Sequence, residues 1–127
     1  MKLLKCPICG NVVEVIEDRQ VPLMCCGKKM EVVEVGTVEA SVEKHIPVVN
    51  VDGDYLNVVV GEVIHPMTSE HLITNIWIVF DDGSNTRVSL TATDQPIARF
   101  NIDGKKGKAI VYEYCNLHGL WQTEVDL

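Results

Sequence analysis

The chain of 127 residues has no long apolar run. Its apolar stretches fall far short of the ~20 residues that carry a helix across a bilayer. The opening decapeptide, MKLLKCPICG, holds two lysines and only a small apolar patch. A secretory leader needs a longer apolar segment, so the expected location is cytoplasmic. Positive charge is scarce as well. Lysine and arginine number 11 against 18 acidic residues, for a net charge of −7 and a pI near 4.9. Nucleic acids and anionic membranes are bound by basic surfaces, so neither is expected as a partner. No sustained helical period and no internal repeat is visible. Apolar content is not lacking: 46% hydrophobic against 23% charged residues describes a folded chain rather than a disordered one.

Two regions differ in character. Residues 1–36 contain four cysteines, several glycines and two short valine-rich runs, NVVEVIE and MEVVEVG. A segment this small builds little core and calls for a metal or disulfide staple. From Thr37 to Leu127 short β-prone runs follow one another: TVEASVE, IPVVNV, YLNVVVG, LITNIWIVF, TRVSLTA, IARFNI and KAIVYEY. Turn clusters separate them, DGD, DDGS, TDQP and DGKKG among them. Strands and turns at this spacing predict an all-β chain, with about seven strands in an immunoglobulin-like sandwich behind the small module. The expected boundary is Gly36, giving domains 1–36 and 37–127.

The chain has five cysteines, an odd number that no disulfide framework uses up. In a reducing compartment metal ligation or catalysis is the better expectation. Cys6, Cys9, Cys25 and Cys26 form the pattern C-x2-C-x15-C-C. Two such pairs can close a tetrahedral thiolate site around iron or zinc; two disulfides are the disfavoured alternative. Adjacent Cys25 and Cys26 are the difficulty, because neighbouring side chains on extended backbone point apart. The backbone must distort there, and Gly27 helps.

All four histidines, His45, His65, His71 and His118, fall in the second region. A proline follows closely behind His45 and His65, restricting the local backbone. His71 precedes a long strand, and His118 stands before Gly119 in CNLHG. Each is predicted at a strand end or in a loop, where functional residues concentrate. Cys115 ends the run KAIVYEY with the parity of Ala109 and Val111, as a buried structural cysteine would. It also forms C-x2-H with His118. Four imidazoles and one thiolate exceed what structural zinc takes and suit iron, with a sixth position left open.

Taken together, CPICGNVVEV, MCCGKKM, EKHIPVV, HPMTSEHLI and YCNLHGLW resemble desulfoferrodoxin, the two-iron class of superoxide reductase, over essentially the whole chain. The resemblance implies a desulforedoxin-like module followed by an immunoglobulin-like sandwich, assembled as a homodimer. It implies two mononuclear irons. One is a tetrathiolate centre on Cys6, Cys9, Cys25 and Cys26, where zinc is also possible. The other is held by His45, His65, His71 and His118 with Cys115 as axial thiolate. The implied reaction reduces superoxide to hydrogen peroxide with electrons from a rubredoxin-type donor. The resemblance also implies that Lys44 steers superoxide and that Glu43 ligates the resting iron. Leu72 is a departure, since relatives often carry an aromatic residue there. A non-enzymatic, rubredoxin-like electron carrier is the alternative function.

Overall fold

The computed structural model describes residues 1–36 and 42–127, the side chains of Val42 and Glu43 excepted. The chain divides into two compact units, Met1–Glu34 and Val35–Leu127. In the first, β1 (Leu3–Lys5) lies between β2 (Val12–Glu14) and β5 (Glu31–Val32), all antiparallel. A two-stranded ribbon, β3 (Met24–Cys25) with β4 (Lys28–Lys29), carries the adjacent cysteines. Its core is small: Leu4, Cys6 and Met30 are buried, with Val13, Val15 and Cys25 packed against them.

The second unit is a sandwich of two antiparallel sheets. The elements are a helical turn α1 (Val42–His45), then β6 (Pro47–Asp52), β7 (Tyr55–Val60), β8 (Ile73–Val79), β9 (Asn85–Ser89), β10 (Ile97–Asn101), β11 (Lys108–Cys115) and β12 (Gly119–Asp126). One sheet has the order β10-β7-β6 and the other β12-β11-β8-β9. Alternate residues of β7 (Leu56, Val58, Val60) meet Ile76 and Ile78 of β8 and Ala109 and Val111 of β11, closed by Phe100. This two-residue period puts every second side chain of each strand on the core face.

The all-β expectation holds, and among the described residues the sandwich has seven strands, β6 to β12. Their identities differ from the expected set in two places. Of the run TVEASVE, residues 37–41 lie outside the described residues, while Val42 and Glu43 are helical rather than extended. The missing strand is β12, which GLWQTEVD forms. It is hidden in the sequence because its later residues carry polar side chains on an edge strand, although it pairs with β11 along its full length.

Strand ends converge where the sandwich matters for chemistry. Pro47 at the start of β6 pairs with Val60 at the end of β7. At the other sheet, Cys115 at the end of β11 pairs with both Ile73 at the start of β8 and Gly119 at the start of β12. The β11–β8 register slips between Tyr114 and Cys115, so Thr74 is skipped. A bulge of this kind re-aims the side chain beside it.

Leu56 is wholly buried whereas Val48, on the outer face of the same sheet, is 42% exposed. Leu56→Ala is expected to lower stability by about 2–5 kcal/mol and Val48→Ala by under ~1 kcal/mol, read from urea denaturation followed by circular dichroism.

Candidate metal centres

The second unit gathers its ligand-type side chains from segments at those converging ends. His45 closes α1, two residues before β6. His65 lies in the loop after β7, and His71 two residues before β8. Cys115 is the last residue of β11, and His118 stands in the turn before Gly119, whose φ of 81° is the left-handed conformation glycine favours.

The four imidazole rings form a closed square. Centroids are 4.8 Å apart for His45–His65, 4.6 Å for His65–His71, 5.0 Å for His71–His118 and 4.8 Å for His118–His45. Neighbouring rings meet edge to face at 77–89°, and the His45–His71 diagonal is 6.4 Å. Donor atoms face inward. His45 Nε2 is 3.3 Å from His65 Nε2 and 3.1 Å from His118 Nδ1, which lies 3.8 Å from Cys115 Sγ. Two nitrogens bound at a right angle to a metal about 2.1 Å away stand about 3.0 Å apart, so the spacing fits a common ion. The ligand atoms of His45, His71, Cys115 and His118 all lie within 4.8 Å of one another, and His65 occupies the remaining corner of the square.

Protonation favours ligation. His65 Nδ1 is 2.7 Å from the Pro66 carbonyl oxygen, which can only accept, so this nitrogen carries the proton and Nε2 presents its lone pair. Burial pushes the His65 ring down to about 4, against the pull of the Pro66 carbonyl and helped by the neighbouring rings. His71 is also lowered, by burial first and then by His118, His45 and Lys44. His71 Nε2 is buried without a hydrogen-bond partner among the described residues, an orphan that a metal would satisfy. Burial raises the Cys115 thiol, while the N–H groups of Leu117 and His118 pull it down. A cation bound there would release this proton.

Surrounding groups hold the square in shape. Trp121 stacks on His45, with centroids 5.1 Å apart, and donates Nε1–H to the His118 carbonyl at 3.1 Å. Asn116 accepts the Leu72 N–H at 2.9 Å and donates to the Glu70 carbonyl at 2.9 Å, tying the Cys115–His118 turn to the His71 loop. The Thr68 hydroxyl accepts the His71 N–H at 3.0 Å. Lys44 is exposed at the end of α1, and its charge is felt at His71. The backbone of Glu43 is in α1, but its side chain lies outside the described residues.

Sequence reasoning missed Glu113. Two residues before Cys115, it is fully buried with neither carboxylate oxygen hydrogen-bonded among the described residues, and burial pushes it up to about 9. The signal was the parity of β11, which turns Glu113 inward with Ala109, Val111 and Cys115. Asn116 was missed as well, and the motif CNLHG gives no hint of its reach across to residues 70–72.

The first unit brings its four thiols together. The sulfurs of Cys6, Cys9, Cys25 and Cys26 lie within 4.8 Å of one another, and all five cysteines of the chain are free. Cys9 Sγ is 3.7 Å from Cys25 Sγ, which is 4.0 Å from Cys26 Sγ. The edge of a tetrahedron of sulfurs at about 2.3 Å from a metal is about 3.8 Å. The adjacent pair is accommodated by left-handed backbone, with φ of 52° at Cys26 and 71° at Gly27. The N–H groups of Cys9 and Ile8 donate to Cys6 Sγ at 3.4 Å and draw this thiol down to about 6. Hydrogen bonding with the neighbouring thiols pushes Cys26 up to about 12. Four sulfurs so close share protons poorly; a metal replaces those protons.

Comparison with known proteins agrees with this geometry. The family described as Desulfoferrodoxin matches residues 37–124, and that described as Desulfoferrodoxin, N-terminal domain, matches residues 1–36. A desulfoferrodoxin homolog of Archaeoglobus fulgidus is 43% identical over 97% of this chain and 96% of its own. The superoxide reductase of Pyrococcus abyssi is 40% identical over 67% of this chain and 88% of its own. Among solved structures, the superoxide reductase of Treponema pallidum superposes with a TM-score of 0.72 at 33% identity, covering 94% of this chain and 98% of that one.

Two outcomes are expected. Asn116→Ala removes both side-chain links to the His71 loop, keeping only the N–H bond from residue 116 to the Leu72 carbonyl, and should speed metal loss to a chelator by about 10- to 100-fold, the usual scale for groups that orient ligands. Glu113 has a folded value near 9 against an ordinary 4.5, so the folded chain holds this proton more tightly than the unfolded one. Stability therefore falls as pH rises between those values, at ~1.4 kcal/mol per unit, and Glu113→Gln removes the slope. Urea denaturation of metal-free wild type and variant should show a gap in the variant's favour that widens by ~3 kcal/mol from about pH 5 to pH 7. Parallel profiles would mean that Glu113 is ionised in the folded protein.

Proposed function

The chain belongs to the desulfoferrodoxin family, and from that premise we propose that it is a superoxide reductase. It takes one electron and two protons to convert superoxide to hydrogen peroxide and releases no oxygen. The observation that carries this reading is the square of four inward-facing imidazoles beside a buried thiol. Five donors are more than a closed structural site takes, and they leave one position of an octahedral set for a ligand.

In this reading His45, His65, His71, His118 and Cys115 hold the reactive iron. Cys6, Cys9, Cys25 and Cys26 hold a second iron, or zinc, in the module of residues 1–36; residues 37–127 are the reductase domain. When bound, the reactive iron supplies one-electron chemistry by alternating between its ferrous and ferric states.

The chain's own residues supply the rest. The neutral rings bind without adding charge, and Cys115 contributes a single negative charge. A ferrous ion held by these donors would keep a net charge of +1 and would favour an anion at short range. The net charge of the whole chain, −7, works against this at long range. Lys44, exposed and felt at His71, supplies local attraction. Glu43, from its place in the same motif, is the resting ligand. Trp121 packs on the His45 ring and Asn116 ties the Cys115–His118 turn to the His71 loop, which holds the donors in place. Electrons come from a small rubredoxin-type donor, and the working form is a homodimer in the cytoplasm. A pure electron carrier would need only the four thiols, so the second donor set argues against that reading.

A superoxide flux assay with reduced rubredoxin as donor tests the proposal. One peroxide should form per superoxide, with donor consumed and no oxygen evolved. One peroxide and one oxygen per two superoxides would identify a dismutase and overturn it. In the same assay Lys44→Ala should lower the second-order rate about tenfold at low salt and flatten its salt dependence.

A further inference from the structure

Gly61 follows β7 and is buried, with a φ of +88°. Its N–H donates to the Ile46 carbonyl at 3.1 Å, one step beyond the Pro47–Val60 pair that ends the β6–β7 ladder. A Cβ placed on Gly61 would lie 2.7 Å from the Lys44 carbonyl oxygen and 2.8 Å from Lys44 Cα, and would collide with the Val63 carbonyl oxygen. All three are backbone atoms, so none can swing aside as the end of a long side chain would. To reach ordinary contact at 3.4 Å, one or both chain segments must retreat.

The two segments carry ligands. Lys44 precedes His45, and the loop from Gly61 runs through Val63 to His65, whose N–H donates back to the Val60 carbonyl at 3.2 Å. The imidazole nitrogens of His45 and His65 stand 3.3 Å apart. The close crossing at Gly61 therefore lies between one ligand pair and the strand ladder that anchors both. It also sets where the Lys44 backbone sits.

We infer that Gly61 is a positioning residue of the histidine–cysteine centre. Its lack of a side chain lets the Lys44–His45 turn lie directly on the His65 loop, which fixes the spacing of two iron ligands and the placement of Lys44. The inference rests on the iron-site reading above. Other glycines show that this is not a general need of left-handed turns. Gly53, at the opposite end of the same hairpin, has a φ of +60° and nothing within 4 Å of an added Cβ. Alanine at Gly53 meets the backbone strain alone; alanine at Gly61 meets the strain and the collision.

The test compares iron-loaded Gly61→Ala with iron-loaded Gly53→Ala in the full chain. Gly61→Ala should shift the thiolate-to-iron absorption and speed iron loss to a chelator at least tenfold. It should also lower the superoxide rate by about a hundredfold, the scale of a misplacement near 1 Å, and change its salt dependence. Gly53→Ala should match wild type in all four. Identical behaviour of the two variants overturns the inference. If Gly61→Ala does not fold, hydrogen exchange of the wild-type holoprotein decides. The Gly61 amide should exchange as slowly as that of Val58 in the ladder, and exchange as fast as that of Gly53 overturns the inference. Absorption, iron retention and amide exchange do not depend on turnover, so they test Gly61 separately from whether the wild type makes peroxide.

Discussion

Four imidazoles whose donor nitrogens face one point impose the constraint on which the sandwich depends. His45 Nε2 has neighbours at 3.3 Å and 3.1 Å, and His71 Nε2 is buried with no partner. Lone pairs turned toward one another repel, and hydrogen bonds among the rings satisfy only some of them. A cation at the centre resolves all of them at once. The arrangement therefore costs energy unless metal is bound, and the surrounding fold must hold it in place. It does so by using strand ends, where backbone position is fixed by ladder hydrogen bonds while the side chain is free to turn inward.

The same logic applies to the first unit on a smaller scale. Three buried residues, Leu4, Cys6 and Met30, form its core, and one of the three is itself a candidate ligand. So small a core cannot offset the entropy of ordering the segment. The binding free energy of a tetrathiolate metal would act as folding free energy here. The left-handed backbone at Cys26 is the local strain that this energy must cover, while Gly27 adopts the same region freely.

The chemistry was more legible in the sequence than the mechanics that support it. Ligand-type residues stand in short motifs with restrictive neighbours, Pro47 behind His45 and Pro66 behind His65, so local reading suffices to find them. The strands from β6 to β11 show as apolar runs bounded by turns. β12 does not, because its polar outer residues break the pattern and its assignment depends on pairing with β11. Val42 and Glu43 read as β-prone by composition yet turn as helix, propensity being a weak prior over so few residues. Asn116, Glu113 and Gly61 act through partners distant in sequence, at residues 70–72, in the sandwich core and at Lys44 respectively. The parity of β11 hints at Glu113, but one-dimensional spacing carries no trace of the crossings made by Asn116 and Gly61.

The two donor sets divide the chemical labour, and Glu113 bears on that division. Four thiolates close a tetrahedron and leave no position for a substrate, so that centre can pass electrons or hold the module together but cannot bind superoxide. A five-donor set would leave a position open, and its single thiolate would leave a divalent ion with net positive charge. A carboxylate at position 113 would cancel that charge from behind, two residues from Cys115. Burial without a hydrogen-bond partner holds Glu113 in its neutral form at ordinary pH. A cation bound by that donor set would therefore face one negative charge fewer for as long as Glu113 keeps its proton.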